Sequence, residues 1–208
     1  ARRDARRLLI VGTGEEAWYH ARALAQVRAF EVITIWGRNA AHAQGLSQRL
    51  ATIALPHAPK LSVATDLSAA VAQACVICTV TSAKEPFLRG EWLPAGAHLN
   101  LVGSAIPTTA EVDVETVRRG RFFVDYREAA YAQAGELRNA IAAGLVTEAH
   151  VVGELGEVLA GAASGRREAS EITIYKSLGV TTQDLAAGLV ALREAERLGL
   201  GETLALDA

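Results

Sequence analysis

Gly12 and Gly14 stand one residue apart and Ala17 follows three positions later, in the stretch IVGTGEEAWYHARALA that runs from residue 10 to 25. Gly12-Thr13-Gly14-Glu15-Glu16-Ala17 is a G-x-G-x-x-A pattern. In such a pattern the first glycine permits a tight turn and the second lets the backbone approach a pyrophosphate. The small third residue keeps a helix close to its strand. Helix starts also carry unpaired N–H groups that suit phosphate oxygens. The motif is weak alone, but here an apolar run precedes it and a helical pattern follows, the context it requires. The spacing predicts a dinucleotide-binding turn. The competing reading is a structural turn that only happens to be glycine-rich.

The end of the next apolar run bears on which dinucleotide. NAD sites usually place Asp or Glu there, about 20 residues beyond the turn, to accept from the ribose 2′-hydroxyl. This chain has Trp36-Gly37-Arg38-Asn39, with no carboxylate. A guanidinium at Arg38 suits a 2′-phosphate through charge-assisted bonds. NADP(H) is therefore favoured, with NAD(H) as the alternative, and the bland reading of Arg38 is a solvated turn residue.

Such a site needs a sheet whose strand ends converge. RLLIVG (7–12), EVITIWG (31–37), KLSVAT (60–65), ACVICTV (74–80), AHLNLVG (97–103) and RFFVD (121–125) read as strands. Gly14–Arg28 reads as a helix with Ala17, Ala21, Leu24 and Val27 or Arg28 on one face, and an Ala-rich helix lies near 40–51. Continuous apolar strands separated by helices indicate a parallel sheet covered on both faces, an α/β doubly wound, Rossmann-type fold. Beyond Asp125 the pattern changes: Tyr126–Gly144 looks helical, ELGEVLAGAASGR adds a short helix, and EITIYKSLG (171–179) returns as a strand. Thr181–Leu198 reads as a last helix with Leu185, Leu189 and Leu192 on one face. Thr181 with Asp184 resembles a capping box and Gly199 a C-terminal stop. The division expected is 1–180 for the dinucleotide-binding domain and 181–208 for a C-terminal helix.

With 208 residues, half of them hydrophobic, the chain can bury a core of one domain. A net charge of −2 gives no general attraction to nucleic acid or anionic membranes. No apolar run approaches the roughly 20 residues of a membrane-spanning helix. The opening ARRDARRLLIVG runs straight into the glycine turn, so it reads as a first strand and not as a signal peptide. A cytoplasmic, reducing location is expected, with Cys75 and Cys78 as structural cysteines. They form C-x-x-C, but within a strand pattern, where residues three apart point to opposite faces. The chain contains no methionine, even at position 1, and is expected to be a fragment of a longer protein.

His20, His42, His57, His98 and His150 have no metal-like spacing, and no metal site is expected. His98 lies in a strand expected near the site, with a structural role preferred. Asp125 ends a strand, either beside the ligand crevice or capping the next helix. Glu111 and Asp113 are read as capping or solvated carboxylates in preference to catalytic ones. ETVRRGR reads as a solvated basic run.

The segments VGTGEEAWYHARAL, CTVTSAKEPFLRGEWLPAGAHLNLVGS, PTTAEVD, FFVDYREAAYAQAGEL, LGEVLAGAASGR and ITIYKSLGVTTQDLAAG resemble the ornithine cyclodeaminase/mu-crystallin family over nearly the whole chain. The last segment is the most specific, since ordinary Rossmann proteins lack that tail. The family includes ornithine cyclodeaminases, alanine dehydrogenases, ketimine reductases and a lens crystallin that binds NADPH. The resemblance implies hydride transfer between a nicotinamide and the α-carbon of an amino or imino acid.

The resemblance also implies roles for residues. Gly12, Gly14 and Ala17, with Thr13, Glu15 and Glu16 between them, match the phosphate turn. Arg38 and Asn39 match the adenosine-side loop, and Thr79, Val80 and Thr81 match a segment along the cofactor. Val102, Gly103 and Ser104 match the segment near the nicotinamide, and Lys176, Ser177 and Leu178 the returning strand on its other side. Family members are longer at the N-terminus, and that part carries most substrate-binding cations and the dimer interface. It is missing here, so catalytic residues cannot be assigned; the C-terminal helix is expected to pack on that missing domain, and the full protein to be a homodimer.

Cyclodeaminases carry a catalytic aspartate two residues after the glycine that matches Gly103; here the position is Ala105. Such an aspartate exchanges protons as ammonia leaves, whereas reduction of a preformed cyclic ketimine depends chiefly on binding and hydride delivery. The expected function is therefore NADPH-dependent reduction of Δ1-pyrroline-2-carboxylate or Δ1-piperideine-2-carboxylate. The alternatives are an NAD-dependent ornithine cyclodeaminase yielding proline and ammonia, and a crystallin-like NADPH-binding protein without turnover.

Overall fold

Leu8, Leu9, Ile10 and Val11 are all buried, as a strand covered on both faces requires. They belong to β1 (Arg7–Val11), an interior strand of a sheet in a computed structural model that describes residues 1–202 and 204. Its neighbours in chain order are β2 (Val32–Trp36), β3 (Lys60–Val63), β4 (Val76–Thr79), β5 (His98–Leu101), β6 (Gly120–Val124), β7 (Val151–Glu154) and β8 (Ile172–Lys176). Among the described residues these eight strands form one parallel sheet of order β3-β2-β1-β4-β5-β8-β6-β7. The chain leaves β1 toward β2 and β3, then crosses back to β4 on the other side of β1. That reversal is the doubly wound arrangement expected from the sequence, with its switch point between β1 and β4.

Alternation along each strand feeds two cores. Leu8, Ile10, Ile33, Ile35 and Cys78 face α1 (Glu15–Val27) and α2 (Ala40–Ala51), meeting Ala17, Ala21 and Leu50. Leu9, Val11, Ile77, Leu99, Leu101 and Phe122 face the other layer, meeting Val71 of α3 (Leu67–Gln73), Val117 of α4 (Val114–Arg119) and Leu137 of α6 (Gly135–Ala142). The buried stripe of α1 is Ala17, Trp18, Ala21 and Ala25, while Val27 is exposed.

Several local expectations are corrected. Tyr126–Gly144 is two helices, α5 (Arg127–Gln133) and α6, separated at Ala134, which is extended. The strand β7 precedes the short α7 (Leu155–Leu159), whose start is a capping box between Glu154 and Glu157. No capping box forms at Thr181: Val180 is the N-cap of α8 (Thr181–Leu198) and no side chain caps that end. Gly199 does stop α8, in the left-handed region at φ 64°. Residues Ala1–Leu178 form one compact unit and a second begins at Gly179. Within the second unit Leu185, Leu189 and Leu192 are exposed.

Cys75 lies just before β4 and not within it, so the opposite-faces argument does not apply. Both cysteines border the α1–α2 core and both are free thiols. Burial pushes the Cys78 thiol well above its ordinary range, which keeps it protonated and inert. The basic run is not simply solvated either. Arg119 donates to the carbonyl of Gly90, and Arg121 to those of Ser164 and Gly165.

Candidate functional site

Strand register sets the site. Val11 pairs with Trp36 on one side and Thr79 on the other, Thr79 pairs with Leu101, and Lys176 pairs with both Leu101 and Val124. One row of residues therefore ends the strands, and the loops beginning at 12, 37, 80, 102, 125 and 177 lie along one edge. Open α/β sheets bind ligands at that carboxyl edge, at the switch point.

At the switch point, Gly12 has φ +138° and a Cβ there would lie 2.6 Å from the Val80 carbonyl oxygen, so only glycine fits. Its N–H donates to the Trp36 carbonyl at 2.9 Å, closing the turn against β2. Gly14 differs: a Cβ there would meet nothing within 4 Å, and no side chain caps the first turn of α1. Open space therefore faces uncapped N–H groups, the geometry that takes a phosphate. Glu15 and Glu16 bring negative charge to the same turn, but Arg49 binds Glu15 at 2.7 Å and His20 lies 3.4 Å from Glu16. The bond from Arg49 also lowers the Glu15 pKa.

At the end of β2, Asn39 uses its side chain to cap α2, accepting the Ala41 N–H at 2.9 Å. Arg38 is exposed and makes no ion pair or hydrogen bond among the described residues. Trp36 stacks on Phe87 at 6.2 Å between ring centroids.

The loops after β4 and β5 are held from behind by a carboxylate. Glu111 is fully buried and accepts four bonds, from the Thr79 hydroxyl (2.7 Å), the Thr81 N–H (2.8 Å), the Thr81 hydroxyl (2.7 Å) and the Gly103 N–H (2.8 Å). A Cβ on Gly103 would collide with the Thr81 carbonyl and with Glu111 itself. Next to it, Ser104 donates its hydroxyl to Glu136, and Lys176 donates to both the carbonyl and the hydroxyl of Ser104. Lys176 and Glu136 are buried with Nζ 3.5 Å from Oε2. Desolvation lowers the Lys176 pKa, and the charges of Glu136 and Glu111 act in the opposite direction.

Thr13, Gly14, Glu15, Glu16, Arg38, Asn39, Thr81, Val102, Gly103, Ser177 and Leu178 thus reach the surface of this edge, while Ala17 and Val80 pack beneath it. Thr79, Ser104 and Lys176 belong to the same edge, but their side chains turn inward and are spent on the buried network. Asp125 neither caps α5 nor stands free: it accepts the Tyr126 and Leu178 N–H groups, tying the end of β8 to that of β6. Asp113 does cap α4, accepting from Thr116 and from Gly90. His98 starts β5, at the opposite end of the strand from the site, and its ring bonds Thr173 at 2.8 Å. Among the described residues no group of His, Cys, Asp and Glu could hold a metal ion, and no helix is long and apolar enough to cross a membrane.

The sequence model of the ornithine cyclodeaminase/mu-crystallin family matches residues 1–196. The chain belongs to that family. It is 33% identical over 188 residues to the Delta(1)-pyrroline-2-carboxylate reductase of Colwellia psychrerythraea, covering 90% of this chain and 58% of that protein. It is 34% identical to the ketimine reductase mu-crystallin of Mus musculus, covering 86% and 52%. Thermococcus litoralis Delta(1)-pyrroline-2-carboxylate reductase, solved in complex with NADH and L-proline, matches it with a TM-score of 0.93 at 27% identity. That match covers 98% of this chain and 62% of the other. This member of the ornithine cyclodeaminase/mu-crystallin family therefore spans little more than half the length of its two named relatives.

Proposed function

We propose that the chain is the dinucleotide-binding part of an imino acid reductase. It would use NADPH to reduce Δ1-pyrroline-2-carboxylate or Δ1-piperideine-2-carboxylate to the cyclic amino acid. The observation that carries this reading is the loop after β5. Val102, Gly103 and Ala105 reach its surface and Ser104 is buried, so this loop offers no proton-exchanging side chain where the family's deaminases have an aspartate. The named relatives, a Delta(1)-pyrroline-2-carboxylate reductase and a ketimine reductase, support the same reading.

The dinucleotide would lie along the carboxyl edge, its pyrophosphate against Gly12–Gly14 and the start of α1. When bound, it supplies a hydride. In a protonated ketimine the C=N⁺ carbon is the acceptor, and addition leaves an amine that needs no further proton from this loop. The buried Thr79, Ser104 and Lys176 would support the site from behind, through the hydrogen-bond network, without touching the dinucleotide. The unpaired Arg38 supports a preference for the 2′-phosphate of NADPH. The exposed Leu185, Leu189 and Leu192 of α8 would dock on the substrate domain of the full-length protein, a homodimer in this reading.

The test is turnover by the full-length protein. NADPH consumption with either ketimine, faster than ammonia release from ornithine, is the expected result. Faster release of ammonia would instead make it a cyclodeaminase. NADPH binding with neither reaction would make it a binding protein of the crystallin kind.

A further inference from the structure

Buried ion pairs rarely add stability over apolar packing, because desolvation consumes the Coulombic gain. Lys176 and Glu136 are such a pair, so what they hold is more informative than what they contribute. The Lys176 ammonium group gives both of its hydrogen bonds to one residue, Ser104, through the carbonyl and the hydroxyl. Glu136 receives the Ser104 hydroxyl and also the Glu111 N–H, at 3.1 Å. Glu111 in turn holds the Gly103 N–H. Three charged side chains, from β8, from α6 and from the loop before α4, thus converge on two consecutive residues of the loop after β5. They fix that loop by its backbone, with Val102 packed partly against the α1–α2 core on one side and Ala105 exposed on the other.

We infer that Lys176 is a positioning residue for the nicotinamide end of the site: it does not touch the dinucleotide, but sets the 102–105 loop through Ser104. This rests on the dinucleotide reading proposed above. It also separates the two ends of the site, because the Gly12–Gly14 turn and Arg38 share no bond with the network.

The experiment compares nucleotides with and without the nicotinamide. NADPH, NADH, 2′-phospho-ADP-ribose and ADP-ribose are titrated into the wild type, Lys176→Met and Lys176→Met/Glu136→Gln. The double variant removes both charges together, while glutamine keeps an acceptor for Ser104. In both variants the preference for a dinucleotide over its nicotinamide-free counterpart should fall about tenfold, the worth of one charge-assisted bond. Affinity for the counterparts should stay unchanged. A general loss of stability would weaken all four ligands together, and that result overturns the inference, as does an unchanged preference. If neither Lys176 variant folds, Ser104→Ala decides: a reduced preference supports the inference and an unchanged one overturns it. A wild type that binds none of the four removes the dinucleotide reading, and the inference with it; binding by the wild type with parallel losses in the variants removes the inference alone.

Discussion

The carboxylate of Glu111 accepts the Gly103 N–H at 2.8 Å through one oxygen and the Thr81 N–H at 2.8 Å through the other. A single buried side chain thereby couples the loops after β4 and β5, the two that meet at the middle of the carboxyl edge. Each oxygen also takes a threonine hydroxyl. Glutamine cannot replace it, because its amide NH2 must then face one of the two backbone N–H groups. Glu111→Gln should cost about 3 kcal/mol of unfolding free energy, the penalty of leaving buried donors unpaired. A urea midpoint unchanged from wild type would contradict the four-bond arrangement.

The glycines should separate folding from binding. Gly12→Ala places a Cβ 2.6 Å from the Val80 carbonyl at a positive φ, and should cost about 2 kcal/mol or more in thermal or urea unfolding. Gly14→Ala has open space, so stability should stay within about 1 kcal/mol of wild type. The same methyl should nevertheless weaken nucleotide binding sharply, because it occupies the room left for phosphate. Equal loss of stability in both variants would contradict this assignment of the turn.

Arg38 makes no ion pair among the described residues, so reversing its charge should disturb binding and little else. Arg38→Asp should weaken NADPH relative to NADH by about tenfold or more, the worth of a charge-assisted phosphate bond. The melting temperature without ligand should not move. Parallel changes for the two cofactors would return Arg38 to the role of a solvated turn residue.

His98 should make the fold acid-sensitive. Burial, reinforced by the positive charges of the N-terminal ammonium group and then of the Arg166 guanidinium, lowers its pKa from 6.5 to about 3. Between those values the folded chain keeps the ring neutral while the unfolded chain takes up a proton. The unfolded state then binds more protons, so stability rises with pH across this window and is lost as pH falls through it. The contribution is at most about 1.4 kcal/mol per pH unit. His98→Gln should flatten that part of the stability profile, measured by urea unfolding at a series of pH values. An unchanged slope would show that other groups dominate.

How much of this was legible depended on distance along the chain. The first six strands were readable because a parallel sheet covered on both faces demands continuous apolar runs. The glycine turn was readable because its parts lie within six residues. The helices α3 and α4 were not, at seven and six residues, too short to show a helical period. The edge strand β7 alternates in burial and contains Gly153, so it gave no apolar run. The break at Ala134 was marked only by Gly135, a single glycine in an alanine-rich stretch of high helix propensity.

The buried network was illegible for a different reason. Glu111, Glu136 and Lys176 come together only through topology, when β8 inserts between β5 and β6. One signal was present: Lys176 ends the otherwise apolar run ITIYK, and a lysine held in a central strand needs partners. Its partners could not be named without the strand order.

The most direct test of the central claim is a tryptophan-fluorescence titration of the chain with NADPH and NADH in parallel, since Trp36 ends β2 beside the proposed site. The account predicts saturable quenching by both, with NADPH binding more tightly. Tighter NADH binding would contradict the role given to Arg38. A chain that is folded by circular dichroism yet binds neither nucleotide would contradict the claim that its carboxyl edge is a dinucleotide site.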